Sequence, residues 1–245
     1  MDALDDLRTL TVPTLANAVE TFGVVPANTG YNTRPLTCHF PSFGMCVGYA
    51  ATVTATTNRE PGVAPDPVDE PAYWKWLAAR AVDGPIVLVL EDLDDPPGGA
   101  MWGEWNGHVH QALGCVGTIT QGAVRDLDAL ERLGFHTFAT SVSVAHGYGA
   151  FTGYGEPVTV AGLPVHTGDL LVADLHGVLR IPPEIPIAEL VEAGREIDRL
   201  ESEIFACTRA ADFSIEKLEQ LQESVLARWP NPSNSFRRES QSRSH

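Results

Sequence analysis

Residues Ile86 to Leu90 read IVLVL. A strand with one face in water alternates apolar and polar residues, whereas a short continuous apolar run suits a strand covered on both faces. Gly84-Pro85 breaks the chain just before the run, and Glu91, Asp92, Asp94 and Asp95 lie just past its end. A strand covered on both faces needs a layer above and a layer below, as the sheets of α/β proteins have. The acid cluster could in principle bind a metal, but its place beyond a strand end reads first as a solvated loop.

The same local logic places the other elements. Leu4 to Phe22 reads as an amphipathic helical region, and Thr33 to Thr56 as strands, with small and β-branched residues at Gly48 to Val53. Asn58 to Pro71 is dense in Pro, Asp and Gly, so it reads as a long surface loop of the kind that is often either functional or disordered. Tyr73, Trp74 and Trp76 follow on a helix running to Val82. They read as a buried face plus a partner contact, with a substrate lid as the sharper alternative. Val109 to Gly114 is helical, Cys115 to Thr120 is a short buried strand, and Leu127, Leu130 and Leu133 share one face of a helix from Asp126 to Leu133. Phe135 to Val144 is a further strand. His146 to Gly155 is a Gly-rich aromatic loop that lacks both the Lys-Ser/Thr ending of a phosphate loop and the strand–helix setting of a dinucleotide fingerprint. His146 has no visible partner there and reads as incidental. Short strands at Val158 to Val160, Leu163 to His166, Leu170 to Asp174 and Val178 to Ile181 are joined by tight turns in which Asp169 and Asp174 take structural hydrogen bonds. Ile187 to Cys207 is a long helix and Phe213 to Trp229 a shorter one. Residues 1 to 229 are read as one domain, and residues 230 to 245 as a polar, disordered tail.

The chain of 245 residues carries 32 acidic and 16 basic side chains, a net charge of −16. Such a field repels nucleic acid, and the basic residues that do cluster, Arg237, Arg238 and Arg243, fall in the tail. No apolar run is long enough to span a bilayer, and the acidic first residues lack the apolar core of a signal peptide. A cytoplasmic location without membrane contact is therefore expected. Cys38, Cys46, Cys115 and Cys207 form no C-x-x-C pair and show no zinc-like histidine spacing, so reduced thiols are expected.

Candidate chemistry concentrates between Gly98 and Asp126, in GGAMWGEWNGHVHQALGCVGTITQGAVRD. A Gly-rich turn leads into Trp102-Gly103-Glu104. A helix-like run follows, then the Cys115 strand, which ends in a tight turn carrying Arg125 and Asp126. Acid, helix, strand, base and acid in that order can gather Glu104, Arg125 and Asp126 at one end of a sheet, where open α/β folds place ligands. Taken alone, Asp126 is also a good first-turn acid for the helix that follows, and Arg125 an ordinary surface arginine.

The spacing Glu104, twenty residues, Arg125-Asp126 resembles the D-x20-R-D pattern of the RraA-like family, with Glu104 where that pattern usually has Asp. GAVRDLDALERLGFHTFAT is similar to the family's G-x-x-R-D-x-x-x-L-x-x-x-G-F-P-V-F-A run. PVTVAGLPVHTGDLLVADLHGVLRIP resembles its P-V-x-x-G-x-x-V-x-P-G-D-x-x-x-A-D-x-x-G-V-x-x-x-P run. Gln121 stands where an Asp often precedes the glycine, and Asn17 replaces an Asp of the first helical segment. The likeness extends roughly from Thr9 to Phe205. It implies a layered β/β/α fold of the swivelling type, assembled as a homotrimer or homohexamer. It also implies the activity of the class II 4-hydroxy-4-methyl-2-oxoglutarate and 4-carboxy-4-hydroxy-2-oxoadipate aldolases. In these a carbon–carbon bond of a 2-oxo acid is cleaved through a metal-stabilised pyruvate enolate, with oxaloacetate decarboxylation as a side activity. By the same resemblance Asp126 ligates Mg²⁺, Mn²⁺ or Co²⁺, and Glu104 holds metal-bound waters. Glu201, with Glu203 as fallback, does likewise from a neighbouring subunit. Arg125 pairs with the keto oxygen, and the backbone N–H groups of Trp105 and Asn106, past the Gly103 turn, take the substrate carboxylate. Trp102 and Trp105 add bulk beside the site and are expected to narrow substrate choice.

Enolate chemistry also admits a lysine Schiff base. Lys75 and Lys217 are the only lysines, and neither belongs to this stretch, which favours the metal route. The competing reading implied by the family is non-enzymatic, a regulator that binds and inhibits a ribonuclease. A methyltransferase is disfavoured, because no Gly-rich cofactor loop follows a first strand.

Overall fold

Both faces of the Ile86 to Leu90 run are covered in the computed structural model, which describes residues 3–60 and 62–230. The terminal tail and its arginines lie outside the described residues. In chain order the elements are helices α1 (Ala3–Leu7) and α2 (Val12–Phe22), strands β1 (Thr37–Cys38) and β2 (Cys46–Thr56), helix α3 (Glu70–Ala78), strands β3 (Ile86–Asp92) and β4 (Ala100–Trp102), helix α4 (Glu104–Ala112), strand β5 (Cys115–Val124), helix α5 (Leu127–Leu133), strands β6 (His136–Val142), β7 (Ala150–Tyr154), β8 (Val158–Val160), β9 (Leu163–Val165), β10 (Leu170–Asp174) and β11 (Gly177–Ile181), and helices α6 (Ile187–Arg209) and α7 (Ile215–Arg228). They fall into two compact units, one spanning Gly30–Ile181 and one made of the segments on either side of it.

In the Gly30–Ile181 unit, β3 lies between parallel neighbours β2 and β5, and β6 extends the parallel set beyond β5. The order is β1-β6-β5-β3-β2-β10-β11, with β1, β10 and β11 antiparallel to their neighbours, β4 paired to β5 and β7 to β2. Alternate residues of β3 serve different layers. Leu88 and Leu90 pack with Ala51 and Val53 against Tyr73 and Leu77 of α3 and Leu130 of α5. Val87 and Val89 pack with Ala50 and Ile119 against Val158, Val160, Leu163 and Val165 of the β8–β9 hairpin. Hairpin, main sheet and helices thus form the layered β/β/α arrangement. Each buried Val or Leu contributes about 1.5–3 kcal/mol, so truncating Leu88, which is fully buried, would remove one of the larger single contributions to this unit.

The flanking unit packs α2 against α6 and α6 against α7. The Leu4 to Phe22 stretch is two helices rather than one, and the break has a local cause. The Thr9 hydroxyl donates to the Asp6 carbonyl (2.6 Å), and the Thr11 side chain then caps α2 by accepting from the Thr14 N–H (3.2 Å). Pro13 sits in the first turn of α2, and Gly23 closes the helix in the left-handed region at φ 63. Gly194 lets the two helical layers approach, since a Cβ there would lie 2.6 Å from Leu10 Cδ1. No helix among the described residues is long and apolar enough to cross a membrane, and the four cysteines are free thiols.

Two loop readings change. The His146 to Gly155 segment is not all loop, because Ala150–Tyr154 pairs antiparallel with β2. Of the acids past the apolar run, Asp92 and Asp94 are not solvated, whereas Asp95 is exposed. Asp92 and Asp94 are 3% and 8% exposed. Asp92 accepts from the Thr57 hydroxyl (2.8 Å), and Asp94 accepts from the N–H groups of Thr57 and Asn58 (2.8 Å each) and pairs with Arg59 (2.7 Å). They anchor the start of the long loop between β2 and α3.

Candidate active site

Strand β5 ends at Val124 and α5 begins at Leu127, so Arg125 and Asp126 occupy the connecting turn. Asp126 holds the N-cap position of α5, where an aspartate usually folds back onto its own helix. Here it does not. Its backbone is left-handed (φ 54, ψ 39) and its side chain makes no capping bond. Instead Oδ2 accepts from the Glu104 N–H at the start of α4, at 3.0 Å. A left-handed conformation is costly for most L-residues, and Asp and Asn are among the few that visit it routinely. Arg125 Nε lies 3.5 Å from the same Asp126 oxygen, and the Arg125 N–H donates to the Trp102 carbonyl at 2.8 Å, tying the turn to the end of β4. Gly103 permits this approach. A Cβ there would stand 2.6 Å from Asp126 Oδ2 and 3.0 Å from Arg125 Cγ.

These residues open onto a cavity of about 950 Å³ whose lining includes Gly103, Glu104, Trp105, Asn106, Arg125 and Asp126. Helix α4 points its N-terminal end at it. The Gly107 N–H bonds back to the Gly103 carbonyl (2.9 Å), and the Glu104 N–H is taken by Asp126. The Trp105 and Asn106 N–H groups precede the first intrahelical bond and sit at the positive end of the helix. The Asn106 side chain donates to the Met101 carbonyl at 2.7 Å, which fixes this first turn to β4. Glu104 is mostly exposed, with Oε1 4.0 Å from His108 Nε2.

Trp102 and Trp105 part company. Trp105 is 79% exposed and lines the cavity, whereas Trp102 is fully buried and stacks on Phe135 at 5.8 Å. The expectation of bulk beside the site therefore holds for Trp105 and fails for Trp102, whose strand position turns it into the core. Tyr73 is 1% exposed, so it is no lid. Its hydroxyl donates to His110 Nε2 (2.8 Å), and His110 Nδ1 donates to the Asn106 carbonyl (2.7 Å). The carbonyl can only accept, which assigns the proton to Nδ1. Burial pushes the His110 imidazole down to about 4 from its ordinary value of 6.5, so the ring is a neutral link under the first turn of α4. Trp74 and Trp76 pack at the edge of the same core.

His146, read as incidental, lines the cavity with Glu70, Pro67 and Val68 of the long loop region. The loop's length was a signal for Pro67 and Val68. His146 had none, because tertiary pairing brings it in: the Ala100 N–H donates to the Ala145 carbonyl (2.8 Å) and the Tyr148 N–H to the Thr57 carbonyl (2.9 Å). Gln121 is structural, its amide donating to the Asp92 carbonyl and accepting from the Ala161 N–H, each at 3.2 Å.

Glu201 and Glu203 lie on α6, in the flanking unit. Glu203 is committed there. It accepts from Arg199 at 2.8 Å and from Arg228 at 2.9 and 2.6 Å, and Arg228 foremost holds its carboxyl below the ordinary range. Glu201 makes no ion pair among the described residues, so of the two it is the one left available.

The donor set at the cavity is sparse and hard. Asp126 and Glu104 offer carboxylate oxygens beside water, and no group of three or more His, Cys, Asp or Glu side chains is placed to cage a metal among the described residues. That suits a Mg²⁺-like ion, which binds through one or two carboxylates and keeps several waters, better than a zinc-like ion that wants three or four protein ligands. Lys75 does not line the cavity, and Lys217 is paired with Asp212.

Residues 12–180 match the family model described as RraA-like: Aldolase/RraA. A protein of Halalkalibacterium halodurans, provisionally named a 4-hydroxy-4-methyl-2-oxoglutarate aldolase, is 26% identical over 162 residues, which cover 63% of this chain and 75% of that protein. Among solved structures, an uncharacterized protein from Pseudomonas syringae pv. tomato str. DC3000 gives a TM-score of 0.64 at 22% identity, covering 91% of this chain and 93% of that one. RraAS2 of Streptomyces coelicolor, described as an unusual member of the RNase ES inhibitor RraA protein family, gives 0.63 at 20% identity over 85% of this chain and 96% of that one. At such identities the structural likenesses speak for the fold.

Proposed function

The chain belongs to the RraA-like family, and from that premise we propose that it is a divalent-metal-dependent lyase that cleaves a carbon–carbon bond of a 2-oxo acid and releases pyruvate. One observation carries the reading. Asp126, in a left-handed turn, aims its carboxylate away from its own helix and towards the N-terminal end of α4, beside Arg125 and on the lining of a cavity of about 950 Å³. An acid serving only as a helix cap would have no reason to hold that conformation.

Asp126 would hold the cation directly and Glu104 would orient its waters. Bound there, a divalent ion supplies Lewis acidity to the carboxylate and 2-oxo oxygens of the substrate. The chain's own groups do the rest. The Trp105 and Asn106 N–H groups receive the substrate carboxylate at the helix end. Arg125 offers a fixed, permanently charged fork to the 2-oxo oxygen, where negative charge grows as the bond breaks. A lysine adduct is not open to this cavity, since neither lysine lines it. In a homotrimer or homohexamer, Glu201 of the partner subunit would add one more carboxylate at the site. Glu104 extends one methylene further than the aspartate of the family pattern, which moves the water-holding oxygens outward.

Arg125→Gln is the variant that tests the role of the guanidinium. Pyruvate release from 4-hydroxy-4-methyl-2-oxoglutarate should fall about 10²–10³-fold, the loss typical of removing a preorganised charge at a developing oxyanion, with cation binding retained. A variant as fast as the wild type would end this assignment.

A further inference from the structure

We propose that the preferred substrate is a 4-hydroxy-2-oxo acid whose C4 substituent is an uncharged alkyl or aryl group, not a further carboxylate; the proposal rests on the lyase reading above. The charge of the cavity is the first argument. Glu70, Glu104 and Asp126 contribute carboxylates, and Arg125 is the one guanidinium among the described lining residues, with no ammonium beside it. Arg125 and the α4 N–H groups are occupied by the 2-oxo acid end of the substrate. With the cation, Glu104 and Asp126 engaged at the 2-oxo acid end, a second carboxylate would meet Glu70 with like charge and find no further guanidinium or ammonium among the described lining residues. The imidazoles of His108 and His146 are of the right kind to take the proton of a 4-hydroxyl, and His108 already lies 4.0 Å from Glu104.

The second argument is the rest of the lining, which is apolar: Pro67, Val68, Met101, Trp105, Val109 and Phe151. Part of it is built by the long loop between β2 and α3. Asp94 holds the start of that loop through Thr57 and Asn58, and near its other end the Val68 N–H donates to the Phe151 carbonyl at 2.9 Å. The loop is thereby docked onto β7, with Pro67 and Val68 on the cavity side. Phe151 is 7% exposed and Val68 packs partly buried against the same core. A volume of about 950 Å³ is ample for a branched or aromatic substituent, since cavities of roughly 300–1,000 Å³ accept drug-sized molecules.

The step balances without an oxidant or reductant. The 4-hydroxyl loses its proton, the C3–C4 electron pair passes to C3 and the 2-oxo oxygen, and C3 takes up a proton from water. Pyruvate and a neutral aldehyde or ketone leave.

The test compares four compounds on the full chain with saturating Mg²⁺: oxaloacetate, 4-hydroxy-4-methyl-2-oxoglutarate, 4-hydroxy-4-methyl-2-oxopentanoate, in which a methyl replaces the C4 carboxylate, and 4-hydroxy-2-oxo-4-phenylbutanoate. The expected kcat/KM for the two neutral compounds exceeds that for the glutarate by about tenfold or more, the scale on which an apolar pocket discriminates. Glu70→Lys should narrow that ratio by raising use of the glutarate. A glutarate used as well as, or better than, both neutral compounds overturns the substrate class and leaves the lyase standing. Absence of pyruvate from all four, oxaloacetate included, overturns the lyase reading and this proposal with it.

Discussion

Three substitutions at Asp126 separate what its backbone does from what its carboxylate does. The backbone sits at φ 54 and ψ 39, a region that costs an ordinary L-residue roughly 1–2 kcal/mol and glycine almost nothing. The side chain accepts the Glu104 N–H at 3.0 Å, a partly exposed bond of about 1 kcal/mol. Asp126→Ala loses the bond and keeps the strain, so stability should fall by about 2 kcal/mol. Asp126→Gly loses the bond but relieves the strain, and should unfold within about 0.5 kcal/mol of the wild type. Asp126→Asn keeps both the acceptor and the tolerance for this conformation, and should also lie close to the wild type. Urea denaturation of the three variants reads these differences. If Ala proves as stable as Gly, the turn is not left-handed and the argument for a deliberately turned carboxylate collapses. The Gly variant matters for function too, because it should fold like the wild type and release no pyruvate.

Further outcomes follow from the same geometry. Tyr73→Phe leaves His110 Nε2 buried without a donor, a loss of about 1–3 kcal/mol, and differential scanning calorimetry should show a lower Tm; an unchanged Tm would argue against the buried link. His110 itself couples stability to acid. Its folded value of about 4 lies below the ordinary 6.5, so the unfolded chain takes up the proton first. That contribution is complete above about pH 6.5 and disappears as pH falls towards 4, in total about 3 kcal/mol. Denaturation midpoints for the wild type and His110→Leu across this window should converge at low pH; parallel curves would contradict the assignment. Trp105→Leu should change relative kcat/KM across a panel of 2-oxo acids by about tenfold, and a panel that keeps its ranking and ratios would remove Trp105 from substrate choice. Glu201→Gln should lower pyruvate release by about 10–100-fold without lowering Tm, whereas Glu203→Gln should leave turnover intact.

Most of the sheet was legible because its signals are local, although β4 carried no strand signal and β7 was read as loop. A five-residue apolar run just past Gly84-Pro85 has the length and the flanking break of a strand covered on both faces, and tight-turn residues mark where the later strands reverse. The Arg125-Asp126 turn was legible for the same reason, lying between a strand and an amphipathic helix. What stayed hidden depends on distance or on dihedral sign. Trp102 and Trp105 look equivalent in the sequence, yet one closes β4 facing the core and the other opens α4 facing the cavity. Asp126 reads as an ordinary cap unless its φ is known. Asp92 and Asp94 read as solvated acids because their partners, Thr57 to Arg59, come from a loop more than thirty residues earlier. His146 reaches the cavity only through backbone pairing with Gly-rich segments that carry no pattern of their own.

The central claim is a metal-dependent lyase with Asp126 as the ligand. Its most direct test is pyruvate release from oxaloacetate and 4-hydroxy-4-methyl-2-oxopentanoate, with Mg²⁺ and with EDTA, by the wild type and Asp126→Asn. Release should require the cation and should fall by at least about 100-fold in the folded Asn variant, beyond what loss of a merely orienting group produces. Release that persists in EDTA, or an Asn variant that turns over like the wild type, would contradict the account.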